Sequence, residues 1–152
     1  LYSVDKGRNH DFKLNKDYFE KHYKLTPLSE TTEYAKMIKS MDLSFDVGGE
    51  MYNYYSNDGA CISVFSYAIE NSGTDIIVDI NCDKRPNIAG YDQFIISFSN
   101  NGLMEFGGSD ASDCTSELMN TVVEEDLTAL KFALIAGGCA ERIVQDGWKM
   151  NY

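Results

Sequence analysis

The chain has 152 residues, of which 43% are hydrophobic and 24% charged, a balance that suits one packed domain and argues against wholesale disorder. Acidic residues outnumber basic ones, 24 against 13, for a net charge of −11. That leaves no basic surplus to neutralise phosphates and argues against a nucleic-acid partner. No stretch reaches the roughly 18 apolar residues of a membrane helix, and the best run, Ala129 to Ala140, carries Lys131.

Two prolines in the whole chain exclude a proline-rich stalk. Residue 1 is a leucine, the start expected of a fragment or processed form, with any signal or membrane segment lying upstream.

In chain order, residues 1–50 read as mainly helical. Phe19, His22 and Tyr23 suggest a short helix. Thr26-Pro27 predicts a helix start, with Thr26 as N-cap and Pro27 in the first helical position. Tyr34, Met37, Ile38 and Met41 follow the i, i+3, i+4, i+7 stripe of an amphipathic helix, and Gly48-Gly49 punctuates its end.

Residues 51–106 read as an antiparallel meander of four or five strands. Met51–Ser56 is followed by the hairpin turn Asn57-Asp58-Gly59 and by Ala60–Ile69. Asn71-Ser72-Gly73 makes the next turn, Asp75–Ile80 a short apolar strand, and Asn81–Asp92 a polar loop. Gln93–Ser99 and Leu103–Phe106 flank the turn Asn100-Asn101-Gly102. In residues 107–152, Gly107–Asn120 is loop-like. Glu124–Ala136 is a helix, acidic at its start as the helix dipole prefers. Gly137-Gly138 is expected to break it, with a further helical stretch over Cys139–Asp146. The fold class is α+β: helices, then an antiparallel sheet, then a cystine-tied C-terminal region in one domain spanning 1–152.

Cys61, Cys82, Cys114 and Cys139 are far apart and contain no C-x-x-C pair, so a zinc ribbon or thioredoxin-like site has no support. Four cysteines allow three pairings, and spacing alone does not choose among them. Cys61–Cys82 with Cys114–Cys139 is favoured because each bond links neighbouring segments. Each loop would then contribute about 3 kcal/mol by restricting the unfolded chain. Oxidised cysteines place the protein in an extracytoplasmic setting, whereas four free thiols would suit the cytosol.

Catalytic signatures are missing: the sequence holds no G-x-S-x-G, H-E-x-x-H or Walker pattern. Its two histidines, His10 and His22, lie in the polar N-terminal part and read as solvent-exposed, so no hydroxyl or thiol has an evident activating base. An enzyme is not expected. One polar cluster stands out: Asp79, Asn81 and Asp83 alternate, followed by Asn87 and Asp92. Alternating oxygens at the start of a loop are the donor set for a hard cation such as calcium, although the loop lacks the glycine and terminal glutamate of an EF-hand. The competing reading is that these side chains cap turns by bonding the backbone.

The segment Asp79-Ile80-Asn81, Pro86-Asn87, Gly90, Asp92 and Phe94, with the C-terminal run Cys139-Ala140-Glu141-Arg142-Ile143-Val144-Gln145-Asp146-Gly147-Trp148-Lys149-Met150-Asn151-Tyr152, resembles the soluble domains of type IV pilin-like proteins, the prepilin and pseudopilin group. The likeness covers about 57–106 and 139–152, with Asn57-Asp58-Gly59 matching the turn before the family's sheet. Cys82 stands where the family usually carries glycine and Cys61 lies just after the Asp58-Gly59 turn, and a cystine between them would account for both departures. The family's hydrophobic N-terminal helix, which anchors the precursor in the inner membrane, is not in this sequence.

The resemblance implies a helix packed on an antiparallel sheet and a Cys114–Cys139 staple for the tail, with Trp148 and Tyr152 as tail anchors. It also implies a life as a filament subunit, partnered by other pilin or pseudopilin subunits at the cell surface or in the periplasm. A secreted binding module or adhesin of similar fold, using Tyr52, Tyr54 and Tyr55 as contact residues, is the alternative.

Overall fold

The computed structural model describes residues 16–40, 49–67, 73–84, 87–99, 102–106, 109–116 and 129–150. Expectations for His10, Met41, Gly48, Asn71-Ser72, Asn100-Asn101, Glu124 to Thr128 and Tyr152 fall outside these residues.

Helix α1 (Lys16–His22) has Asp17 in its first turn and Lys21 and His22 in its last, the charge order the helix dipole favours. It buries Phe19 and leaves His22 exposed, as expected of that histidine. Strand β1 (Leu25–Pro27) follows, then α2 (Glu33–Ser40), and then β2 (Gly49–Ser56), β3 (Cys61–Tyr67), β4 (Thr74–Asp79), β5 (Gln93–Phe98) and β6 (Met104–Glu105). The strands form one antiparallel sheet in sequential order β1 to β6. A 3₁₀ turn (Ala111–Asp113) and helix α3 (Ala129–Gln145) complete the described residues. The expected α+β class is the observed one: helices packed on an antiparallel meander, with a cystine-tied C-terminal region.

The sheet's period-2 alternation divides its side chains between two faces. Tyr54, Val64, Tyr52, Ile62 and Ile76 pack with Phe19 of α1 on one face. Cys61, Phe65 and Ile77 lie on the other, under Tyr34 and Ile38 of α2 and Phe132, Ile135 and Ala136 of α3.

Two expectations are corrected. Thr26-Pro27 does not open a helix but ends edge strand β1, where Thr26 faces Tyr55 and Pro27 faces Tyr54. The Leu28 N–H bonds the Asn53 carbonyl at 2.8 Å, so by alternation the imide nitrogen of Pro27 faces away from β2 and no ladder bond is lost. The helix starts six residues later, where the Thr32 hydroxyl accepts from the Ala35 N–H at 3.2 Å as a true N-cap. Tyr34 and Ile38 then form the buried stripe that the periodicity predicts.

The second correction is Gly137-Gly138, which does not interrupt α3: one helix runs from Ala129 to Gln145. The two glycines are there for close approach. A Cβ on Gly137 would lie 2.4 Å from the Phe106 carbonyl oxygen, and one on Gly138 would lie 2.5 Å from the Asp110 oxygen. The helix backbone therefore rests directly on the chain leading into the 3₁₀ turn, and the Ser109 hydroxyl bonds the Ala133 carbonyl at 3.0 Å beside it. The helix ends at Gly147 in a Schellman motif, with Gly147 N–H to Val144 O at 3.1 Å and Trp148 N–H to Ile143 O at 2.8 Å, both residues at positive φ.

Packing and propensity oppose each other at these glycines. In an open helix, Gly→Ala stabilises by about 1 kcal/mol. Here Gly137→Ala and Gly138→Ala should each destabilise by roughly 1–3 kcal/mol, because the methyl meets main chain that cannot swing aside. Urea denaturation gives the sign directly.

Candidate functional site

The polar loop between β4 and β5 is where the sequence concentrates its oxygen donors, and the fold makes it a junction. Asp79, at the end of β4, is fully buried (0% exposed). One carboxylate oxygen accepts the Asn81 N–H at 3.1 Å and the Cys82 N–H at 2.7 Å; the other accepts from the Gln93 amide at 2.9 Å. Asp92, also buried, accepts the Asn81 amide at 2.8 Å and the Ile88 N–H at 2.5 Å.

Asp83 and Asn87 turn away from this pair, toward α2. Asp83 accepts the Tyr34 N–H at 2.9 Å, capping α2 from 49 residues away. The Asn87 amide reaches the Met37 sulfur at 3.4 Å, as does the Gln93 amide. The expected ligand set is thus split. Asp79, Asn81 and Asp92 meet, Asp83 and Asn87 serve the helix, and the bonded carboxylate oxygens take N–H donors. Among the described residues no three acidic, histidine or cysteine side chains form a metal-ligating group. The observed arrangement is the turn-capping one, a chain of side-chain-to-backbone bonds that stand in for missing ladder bonds.

Both cystines close on this loop. Cys61 of β3 is bonded to Cys82, with Cα atoms 4.9 Å apart, and Cys114 to Cys139 of α3, with Cα atoms 4.6 Å apart. Cys82 sits at φ 56°, a left-handed conformation unusual for cysteine, held by its N–H bond to Asp79 and by its sulfur. Gly90, at φ 80°, lies so close to the second cystine that a Cβ there would be 2.5 Å from the Cys139 sulfur. Arg142 of α3 bonds the Cys114 carbonyl at 3.0 Å. Sequence reading missed Gln93 and Met37. Gln93 is a buried polar residue opening an apolar strand, and that mismatch is the signal that could have marked it.

Trp148, expected as a tail anchor on the sheet, is instead 58% exposed: the Schellman turn that ends α3 carries its side chain outward. Of the three tyrosines of the binding-module reading, Tyr54 is buried and Tyr52 half-buried, leaving Tyr55 as the one turned to solvent. No family model, curated protein or solved structure matches the chain.

The electrostatics of the loop have a pH consequence. Burial pushes the Asp79 carboxyl above the usual aspartate range against the pull of its hydrogen bonds, and the neighbouring charge of Asp92 adds to the rise. Burial likewise raises Asp92. A folded-state pKa above the unfolded value means the native state binds the proton more tightly. Each group's contribution is therefore present at low pH and is lost as pH rises from about 4, the unfolded aspartate value, through the folded pKa. Asp79→Asn keeps the shape and should flatten this loss of stability between pH 4 and 8. Asp79→Ala strands two backbone N–H groups and should cost roughly 2–4 kcal/mol across that range. Urea titrations at several pH values read both.

Proposed function

We propose that this domain is the structural subunit of an extracytoplasmic filament, a type IV pilus or a type II secretion pseudopilus, and that it acts by assembly rather than catalysis. The observation that carries this reading is the architecture of the C-terminal third. A Cys114–Cys139 cystine ties the 3₁₀ turn to α3, and α3 packs on an antiparallel meander whose other face is covered by an N-terminal helix. Together with the tail motif that ends in Gly147-Trp148-Lys149-Met150, this supports membership of the prepilin and pseudopilin group. The two cystines support an oxidising compartment. The precursor would be held in the inner membrane by an apolar helix upstream.

Subunit contacts would fall on apolar side chains left outside the core. Leu130 and Leu134 stand one turn apart on the exposed side of α3, and Trp148 and Met150 follow its end. Isolated exposed apolar residues are ordinary, but Leu130 and Leu134 side by side on a helix make a surface that a neighbouring copy would cover. With a net charge of −11, bare domains repel one another at low salt, so assembly would rely on such apolar contacts and on the membrane helix. In the alternative binding-module reading, Tyr55 is the tyrosine of the three that faces solvent, with Tyr52 half-buried.

Immunogold labelling of sheared surface filaments with antibody to this domain should decorate them along their length. Antigen found only free in the medium would sink the proposal. Leu130→Glu with Leu134→Glu should leave the stability of the domain within about 0.5 kcal/mol, as surface changes do, while removing it from filaments. Non-reducing peptide mapping of the native protein should recover both cystines; four free thiols would remove the compartment argument.

A further inference from the structure

Helix α2 is tied to the β4–β5 loop at two places. Asp83 caps its start by accepting the Tyr34 N–H. One turn further on, the Met37 sulfur takes two amide donors, from Asn87 and from Gln93, each at 3.4 Å. These partners lie 50 and 56 positions away in the chain, so the fold alone brings them to one sulfur.

The pairing is mismatched. A carboxamide N–H is a full donor, whereas a thioether sulfur is a weak acceptor, and buried donors ordinarily find better ones. Gln93 is 1% exposed, and its amide nitrogen also donates to Asp79 at 2.9 Å, which fixes the direction of the group. The Asn87 carbonyl oxygen is buried without a partner among the described residues, while its amide nitrogen is turned to the sulfur.

An oxygen on the sulfur would satisfy both amides, and oxidation supplies one. A sulfur lone pair attacks the outer oxygen of a hydroperoxide. The S–O bond forms as the O–O bond breaks, and the peroxide proton passes to the departing oxygen, giving water or an alcohol. Sulfur loses two electrons and the peroxide gains them. The new oxygen lies on the side from which the amides approach, because N–H donors aim at the lone pairs that sulfur uses in the reaction. Each amide then exchanges a long bond to sulfur for a shorter one to oxygen. Oxidation of a packed methionine ordinarily disrupts a core by placing a polar group in it. At Met37 the polar partners are already in place.

We propose that Met37 is a site of sulfoxide formation by hydroperoxides, with Asn87 and Gln93 receiving the new oxygen, so that oxidation tightens the joint between α2 and the β4–β5 loop. The Met37 side chain is half-buried, within reach of a molecule as small as hydrogen peroxide. The proposal needs only the fold of the domain and stands apart from the filament reading.

Hydrogen peroxide treatment of the folded 152-residue chain tests it, with peptide mass mapping of the six methionines and melting of the separated, singly oxidised species. Sulfoxide at Met37 should form without denaturant, and that species should melt at or above the parent temperature. Met51, packed against the apolar core, gives the contrast: its sulfoxide should melt about 3 °C or more below the parent. Met37→Gln sets a carbonyl oxygen near the place of the sulfoxide oxygen and should match or exceed the parent, whereas Met51→Gln should fall below it. Met37→Leu, ordinarily a tolerated exchange, should lower the melting temperature because it leaves two amides without their acceptor. Asn87→Ala should turn oxidation of Met37 into a destabilising event. Met37 left unmodified in the folded chain, a lowered melting temperature for its sulfoxide or for Met37→Gln, Met37→Leu melting with the parent, or an oxidation shift unchanged by Asn87→Ala would each overturn the assignment.

Discussion

The buried carboxylate of Asp79 is the constraint on which the β4–β5 junction depends. A carboxyl group in the interior is tolerated only when its oxygens find hydrogen-bond partners, and here three N–H groups fill them: two from the backbone just beyond it and one from Gln93. Those bonds dictate the path of the chain as it leaves β4. They turn it so that Cys82 meets Cys61 and bring Asp92 to the Asn81 amide. Asp83 is thereby carried to the start of α2. The long-range contacts of the loop follow from a local electrostatic demand.

The second cystine continues the same logic on the other side of the loop. Cys139 lies on α3 next to two glycines that let the helix backbone rest on the main chain around the 3₁₀ turn. Gly90 in turn lets the β4–β5 loop rest on the Cys139 sulfur. Sheet, loop and C-terminal helix are therefore joined through contacts that admit no side chain, and such contacts leave little room for the elements to slide.

Much of this was legible in the chain. The strand runs of β2 to β6, the Asn57-Asp58-Gly59 turn and the Tyr34–Ile38 stripe are all patterns of local origin, set by side-chain period and turn chemistry. The oxygen-rich set from Asp79 to Asp92 was visible as a cluster, but its purpose was not. An Asp that ligates a cation and an Asp that caps a turn look alike in sequence, because both need only short side chains bearing oxygen. The donors found there are mostly local, from Asn81, Cys82, Ile88 and Gln93, while the Tyr34 N–H on Asp83 comes from an element distant in the chain.

Composition and pattern by themselves determined the α+β class, the meander and the net acidic charge, since each depends on residue type and spacing along the chain. Tertiary structure decided which glycines break a helix and which admit a neighbour, why Thr26-Pro27 ends a strand, and which of Tyr52, Tyr54 and Tyr55 faces solvent. Those outcomes turn on what packs against a residue from far away. Gly137-Gly138 carries the local signal of a helix end, and only the main chain at Phe106 and Asp110, pressed against it, converts that signal into a helix that runs through.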